Sequence, residues 1–183
     1  MSASSTMTPV TPPEVDLVRS FVNTVDYDED TDLLASPAAL EKWLRGAGLI
    51  ASGVKASGRD LRLALRLRDA LRAELAGNHD GDHDPKATVA LEDVCREIPL
   101  TAVCSPEALA PAQGGIRGAL GKVVAAATTA RIKGTWGRLK ICPADDCLWA
   151  FYDTSRNRSR RWCSMEVCGN RSKVRAFRDR SHA

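Results

Sequence analysis

The sequence predicts a mainly α protein in which a helical N-terminal domain precedes a small α+β zinc module. Three observations support this. Apolar residues recur at helical spacing through much of residues 14–134, and short alternating segments replace that periodicity after Arg138. Four cysteines then follow in the pattern C-x4-C-x15-C-x4-C. A chain of 183 residues, 44% of them hydrophobic, is long enough for one main core and one smaller module.

Five helices are predicted before the cysteines. The first opens on Thr-Pro-Pro-Glu, the second on Ser-Pro, and the third on a serine with an aspartate three residues later, all patterns typical of a first helical turn. Glycines mark the ends of the second and third helices. The predicted ranges are 13–26, 36–46, 57–77, 86–98 and 115–131. Residues 1–13 form a predicted disordered Ser/Thr/Pro tail, and the domain boundary is predicted between residues 134 and 135.

Basic residues are unevenly distributed along the chain. Residues 135–183 contain 11 Lys/Arg and 5 Asp/Glu, a charge of +6, whereas residues 1–134 contain 15 and 18, a charge of −3. In the third helix, Arg62, Arg66 and Arg72 lie off the apolar stripe among acidic residues, which favours a solvated face over a nucleic-acid surface. Any attraction to a polyanion is therefore predicted in the C-terminal module.

The cysteine spacing predicts one structural zinc ion per chain, held by Cys142, Cys147, Cys163 and Cys168. Two short-spaced pairs can supply four thiolates at tetrahedral corners, and a module of this size needs the metal to fold. Neither pair is a redox C-x-x-C, and the spacing lacks the cysteine runs of ferredoxins. The other two cysteines, Cys95 and Cys104, are expected to be buried free thiols, and the sequence assigns them no role.

The C-terminal module is rich in arginine on both sides of its second cysteine pair. Residues 155–161 predict a polar turn followed by a return strand, and a helix is predicted to begin at the last cysteine, with Val174 and Phe177 facing the aromatic residues of the module. Arginine binds phosphates and guanine edges bidentately. The candidate nucleic-acid contacts are Arg156, Arg158, Arg160, Arg161, Arg171, Lys173, Arg175, Arg178 and Arg180.

Two sets of motifs resemble a known family. RRWCSM at residues 160–165 and CGNR at residues 168–171 resemble the CGNR zinc-finger family of bacterial proteins. Upstream, FVNTVD at 21–26, SPAAL at 36–40 and LRDAL at 67–71 resemble the ABATE domain that precedes this finger. The resemblance covers about residues 17–180. It implies a stress-associated transcription regulator whose treble-clef-like finger binds DNA.

The leading functional interpretation is therefore a DNA-binding transcription regulator, whose helical domain senses a small-molecule or protein ligand or self-associates as a homodimer. The competing interpretation is a protein-interaction or RNA-associated module whose arginines dock an acidic partner. An enzyme is not expected, because the three histidines have no neighbouring nucleophile signature and a four-cysteine zinc site is closed to substrate. With no apolar run near the roughly 18 residues of a membrane span and no signal peptide, we expect a cytoplasmic protein without a membrane partner.

Overall fold

The computed structural model describes residues 11–79, 81, 83–104 and 108–181, without the side chains at positions 176 and 179–181. Residues 1–10 of the predicted tail lie outside this description. The helices are α1 (Pro13–Val22), α2 (Pro37–Gly46), α3 (Gly58–Ala76), α4 (Pro85–Arg96), α5 (Gly115–Ile132) and α6 (Asn170–Ser181). A 3-10 turn spans Trp136–Arg138, and a π-helical turn at Met165–Gly169 leads into α6.

Three antiparallel hairpins complete the described part of the chain. They pair β1 (Val25–Asp26) with β2 (Thr31–Asp32), β3 (Leu100–Ala102) with β4 (Leu109–Pro111), and β5 (Leu139–Ile141) with β6 (Ala150–Tyr152). In the last hairpin Leu139 lies opposite Tyr152 and Ile141 opposite Ala150. The predicted mainly α class with a small α+β module is confirmed, and four of the five predicted helices begin and end within two residues of their predicted bounds.

The first helix is the exception, because it ends at Val22 rather than near Asp26. Asn23 pairs with the backbone of Ala150: its Nδ2 donates to the Ala150 carbonyl at 2.9 Å, and its Oδ1 accepts from the Ala150 N–H at 2.8 Å. The Thr24 hydroxyl also donates to the Phe21 carbonyl at 2.8 Å. These side chains compete with the helical backbone, so the chain turns into β1 instead of continuing the helix.

The main core lies between α1, α2, α3 and α5, with α4 packed on α3. Helices with one apolar face need such a partner, since burying a leucine or phenylalanine side chain stabilises the fold by about 1.5–3 kcal/mol. The largest fully buried side chains are Phe21, Leu34, Leu40, Leu44, Leu67, Leu71, Leu75, Leu120 and Leu139. The last of these belongs to β5, so the final hairpin contributes directly to the helical core.

The face of α3 that was predicted to be solvated is only partly so. Arg62 and Arg66 are exposed, but Arg72 is buried, which corrects that prediction. Arg72 donates to the Val22 carbonyl at 2.8 Å and to the Leu148 carbonyl at 2.6 Å, and thereby joins α1 to the chain just after Cys147. An arginine can be buried in this way because its long stem packs against apolar groups while its N–H groups find acceptors.

Two smaller predictions also fail. Cys104 is exposed and Cys95 is half-buried, so neither is the fully buried thiol that was expected. Cys104 follows the short strand β3, which has little core to cover it.

No helix among the described residues is both long and apolar enough to cross a membrane.

Candidate metal centre and basic surface

The four predicted cysteine ligands meet at one point. Their sulfur atoms all lie within 4.8 Å of one another, and Cys163 Sγ lies 3.5 Å from Cys147 Sγ and 3.6 Å from Cys168 Sγ. A tetrahedral Zn–thiolate site with bonds of about 2.3 Å places sulfurs about 3.8 Å apart. Since Cys142, Cys147 and Cys168 are buried and Cys163 half-buried, the donor set fits a closed four-sulfur site for a soft divalent metal.

Each ligand is positioned by a local turn. Cys142 follows β5, where its N–H donates to the Trp149 carbonyl at 2.9 Å across the hairpin. The Cys147 N–H donates to the Ala144 carbonyl at 2.9 Å, which closes the tight turn between β5 and β6. Cys163 precedes Ser164, whose hydroxyl caps the π-helical turn by accepting from the Val167 N–H at 3.3 Å. That turn places Cys168 opposite the first pair.

The CGNR tetrapeptide has a physical explanation at each position. After the ligand Cys168, a side chain at Gly169 would have its Cβ 2.5 Å from Met165 Sδ and 3.3 Å from Trp162 Cδ1, so only glycine fits without displacing them. Asn170 Nδ2 donates to the Glu166 carbonyl at 3.0 Å, which satisfies an acceptor in the π-helical turn. Arg171 Nη2 lies 3.6 Å from Cys168 Sγ, and so places a positive charge beside a thiolate.

The protonation chemistry of the cysteines also suits a metal. Burial raises the pKa of the Cys147 thiol to about 11, and burial with hydrogen bonds to Cys147 and Cys168 raises the pKa of Cys163. Burial acts in the same sense on Cys168, but hydrogen bonds from Arg171 and the other cysteines outweigh it and lower the pKa of that thiol. Four thiolates this close repel one another, and a divalent cation that displaces the protons removes the repulsion.

Family comparisons agree with this geometry. A family model described as "CGNR zinc finger" matches residues 138–181, and one described as "Putative stress-induced transcription regulator", the ABATE family, matches residues 15–133. The chain belongs to the ABATE family. The order of the two matches is the one that the motifs predicted. None of the curated proteins matches the sequence.

In this ABATE–CGNR protein, a buried ion pair organises the basic segment at residues 154–161, called the basic loop below. Lys140 Nζ lies 2.8 Å from Asp153 Oδ2, and the two side chains are 3% and 0% exposed. Lys140 also donates to the carbonyls of Arg158 and Arg160, at 2.6 and 3.2 Å. The sequence offered no sign of this pair, because a lysine in a strand and an aspartate after one are usually solvent-exposed.

Asp153 also holds the backbone of the basic loop in place. It accepts from the N–H and hydroxyl of Ser155, at 2.9 and 2.6 Å, and from the Arg160 N–H at 3.0 Å. The predicted return strand is therefore wrong: residues 155–161 form turns and irregular backbone, and Arg158 has a left-handed φ of 53°. Hydrogen bonds with the side chains of Lys140 and Asp153 order this segment in place of the backbone hydrogen bonds that a paired strand would make.

The predicted cationic residues divide into two groups. Three have partners inside the protein: Arg160 donates to the carbonyls of Trp162 and Cys163, Arg171 lies 3.2 Å from an Asp146 oxygen, and Arg175 lies 3.7 Å from an Asp145 oxygen. Within the described residues, the exposed side chains of Arg156, Arg158, Lys173 and Arg178 have no hydrogen bond or ion pair. Arg161 is also exposed, and its guanidinium lies 5.8 Å from the Trp162 ring centroid. The side chain of Arg180 lies outside the described residues.

The finger helix α6 does not bury the apolar residues that were expected to face the module. Val174 is 50% exposed and Phe177 is 66% exposed. The second buried cluster instead consists of Cys142, Cys147, Cys168 and Phe151, with Trp149 and Trp162 packed against it. The sulfur atoms occupy the space that an apolar core would otherwise fill.

Proposed function

We propose that this protein is a zinc-dependent, DNA-binding transcription regulator in which the finger contacts the phosphate backbone. The observation that supports this most directly is the basic loop. A buried ion pair and several hydrogen bonds hold the loop in one conformation, yet leave the guanidinium groups of Arg156 and Arg158 exposed without partners among the described residues. Because the loop backbone is already ordered, binding a phosphate has to order only the arginine side chains, whose planar guanidinium groups can each donate two hydrogen bonds to it.

Zinc is the proposed metal, at one ion per chain. Four thiolates in a closed tetrahedral arrangement are typical of structural zinc, and the CGNR match extends over all four ligands. Because such a site has no open coordination position, we propose a binding role for the metal module rather than a catalytic one.

The primary DNA contacts proposed here are the five exposed cations Arg156, Arg158, Arg161, Lys173 and Arg178. Arg160, Arg171 and Arg175 are assigned a structural role first, because carbonyl, carboxylate or thiolate groups of the protein already accept their N–H donors. Phosphate contacts position a protein on DNA without reading sequence, so this set supplies affinity rather than a recognised operator.

The N-terminal domain is the proposed sensing or self-association unit. A surface cavity of about 590 Å³ lies between α1, β2 and α2, and its walls include Asp32, Lys42 and the half-buried Trp43. This volume is within the range of small-molecule sites. Thermal-shift screening of small molecules against the protein and a Lys42→Ala variant would test whether the cavity binds one.

Titration of a random-sequence duplex by fluorescence anisotropy at several salt concentrations tests DNA binding. Replacing both Arg156 and Arg158 with alanine should make the slope of log K against log[salt] less negative by about 1.8, because each phosphate contact contributes about 0.9 to that slope. The matched control replaces Arg59 and Arg62, two exposed arginines of α3, and should leave the slope unchanged. A wild-type protein that does not bind duplex at low salt would overturn the proposal.

A protein-docking function is the second candidate, because the π-helical turn and α6 together present apolar and basic groups. Val167 and Val174 are each about half exposed, and they line a groove of about 610 Å³ together with Arg171, Arg175 and Arg178. An acidic amphipathic segment would match that surface. A salt slope that the Arg156/Arg158 double substitution leaves unchanged would favour this candidate over DNA.

A further inference from the structure

The hairpin formed by β1 and β2 reaches from the N-terminal domain to the finger. Its turn is acidic, with Asp28, Glu29 and Asp30 all exposed. Asp28 Oδ1 lies 3.3 Å from Arg171 Nη1, a contact between residues 143 positions apart in the sequence. Residues 25–32 are called the acidic hairpin below.

The base of the acidic hairpin is fixed to the N-terminal domain. Asp32 accepts a bidentate pair from Arg68, at 2.7 and 2.8 Å, and the Arg68 side chain is only 7% exposed. The Tyr27 ring centroid lies 5.0 Å from the Arg72 guanidinium. Asp26 Oδ1 accepts from the N–H groups of Asp28 and Glu29, which shapes the turn. Because Asp26 and Asp32 are engaged in this way, the carboxylates left for other partners are those at the tip.

Arg171 links the acidic hairpin to the metal site. Besides Asp28 it contacts Asp146 at 3.2 Å and the Cys168 sulfur at 3.6 Å. Its Nε is buried and has no acceptor among the described residues, so the surrounding anions do not satisfy the guanidinium fully. The Asp28–Arg171 contact is half-exposed on both sides, and an exposed ion pair of this kind is weak and screened by salt. Such a contact suits a reversible closure better than a structural bond.

We propose that the acidic hairpin is an autoinhibitory latch on the finger. The Asp28 carboxylate occupies Arg171, and the exposed carboxylates of the tip repel a phosphate backbone that approaches this side of the finger. Arg171 can therefore add to the five primary DNA contacts only when the tip moves away. A carboxylate and a phosphate oxygen compete for the same planar N–H donors of arginine. The latch rests on the proposed DNA-binding function, which it deepens by naming a regulator within the chain.

The test compares two variants that each remove one negative charge from the tip. Asp28→Asn removes the carboxylate that contacts Arg171, whereas Glu29→Gln removes a neighbouring exposed carboxylate that has no hydrogen bond or ion pair from its side chain within the described residues. With the random-sequence duplex at low salt, Asp28→Asn should lower Kd by about two- to five-fold more than Glu29→Gln does. A change of this size corresponds to the interaction free energy of one exposed ion pair.

Each outcome of this comparison has a separate meaning. Equal effects of the two variants, with duplex binding intact, would overturn the latch and leave the proposed function standing. Duplex binding absent from the wild type and from both variants would overturn the proposed function, and the latch with it. Wild-type binding that tightens more in Asp28→Asn than in Glu29→Gln would support both.

A second measurement tests the contact without DNA. In ¹H–¹⁵N spectra of the full chain, the Arg171 Nε–H resonance should shift in Asp28→Asn and remain in place in Glu29→Gln. An Arg171 resonance unaffected by Asp28→Asn would show that the tip does not rest on the finger in solution. That result would overturn the latch whatever the DNA titrations show.

Discussion

The helical core and the metal module are stabilised by different interactions. Leucine, valine and phenylalanine side chains from α1, α2, α3 and α5 fill the core, whereas three of the four buried members of the second cluster are cysteines of the candidate metal site. Apolar burial depends little on solution conditions near neutral pH, but thiolate coordination depends on pH and on metal availability. We therefore expect one region of the chain to fold through its own side chains and the other to depend on a bound ion.

The β5–β6 hairpin belongs to both regions because its side chains alternate between its two faces. Leu139, Ile141 and Ala150 point into the helical core. Lys140 reaches Asp153, and Phe151 packs with the cysteines. Successive strand residues point to opposite faces, so three residues per strand suffice to connect a helical core with a metal site. The two regions thus share this hairpin.

The largest expected effect comes from removing a ligand. Cys163→Ser should abolish zinc binding and unfold the segment after β6 with α6, because structural zinc contributes about 10–16 kcal/mol of apparent binding free energy in small modules. Most of the far-ultraviolet helical signal should remain, since α1–α5 have their own core. Limited proteolysis should then show new cuts after Tyr152 that the wild type lacks, with β5 and β6 protected by the helical core.

The matched control is Cys95→Ser, which removes a cysteine outside the sulfur cluster and should retain one zinc per chain by elemental analysis. Loss of the helical signal across the whole chain in Cys163→Ser would contradict the independence of the core. Iron in place of zinc in the purified wild type would contradict the metal assignment.

Breaking the buried ion pair should have the next largest effect. Asp153→Asn leaves the Lys140 ammonium buried without a counter-charge, which should lower the free energy of unfolding by about 3–5 kcal/mol. Asp145→Asn, at a side chain that is 93% exposed, is the matched control and should cost less than about 1 kcal/mol. Urea denaturation of the zinc-loaded variants measures both values. Equal costs would show that the pair does not organise the basic loop.

The smallest of the three expected effects on stability is a loss of folding free energy in acid. Burial alone would raise the pKa of Asp153, but hydrogen bonds from Lys140 and Ser155 outweigh it and lower the pKa from 3.8 to about 2. A lowered pKa stabilises the folded state above the unfolded pKa, so this contribution, about 2 kcal/mol, should disappear as the pH falls from about 4 to about 2. The stability difference between the wild type and Asp153→Asn should narrow over that range, and the zinc content measured at each pH separates protonation of this carboxylate from release of the metal. A constant difference would contradict the assignment.

Sequence patterns predicted the elements of this protein better than the contacts between them. The capping box at Ser57 and Asp60 and the apolar stripe of α3 predicted that helix closely, because both signals depend on neighbouring residues. The same helix shows where such signals fail. Arg72 was expected in solvent because its sequence neighbours are charged, yet it donates hydrogen bonds to the carbonyl groups of Val22 and Leu148, which are distant in sequence. The end of α1 was mispredicted for the same reason, since Asn23 pairs with Ala150.

The sequence by itself determined the metal ligands, since paired cysteines at short spacing can meet around one ion wherever the module sits. It also determined the mainly α class, because helical periodicity and capping are local properties. Only the tertiary structure decided which arginines remain available. Arg156 and Arg158 stay exposed while Arg171 contacts Asp28, and no local pattern distinguishes them. The physical reason is that the environment of a charge depends on which groups the fold brings near it, and those groups come from distant parts of the chain.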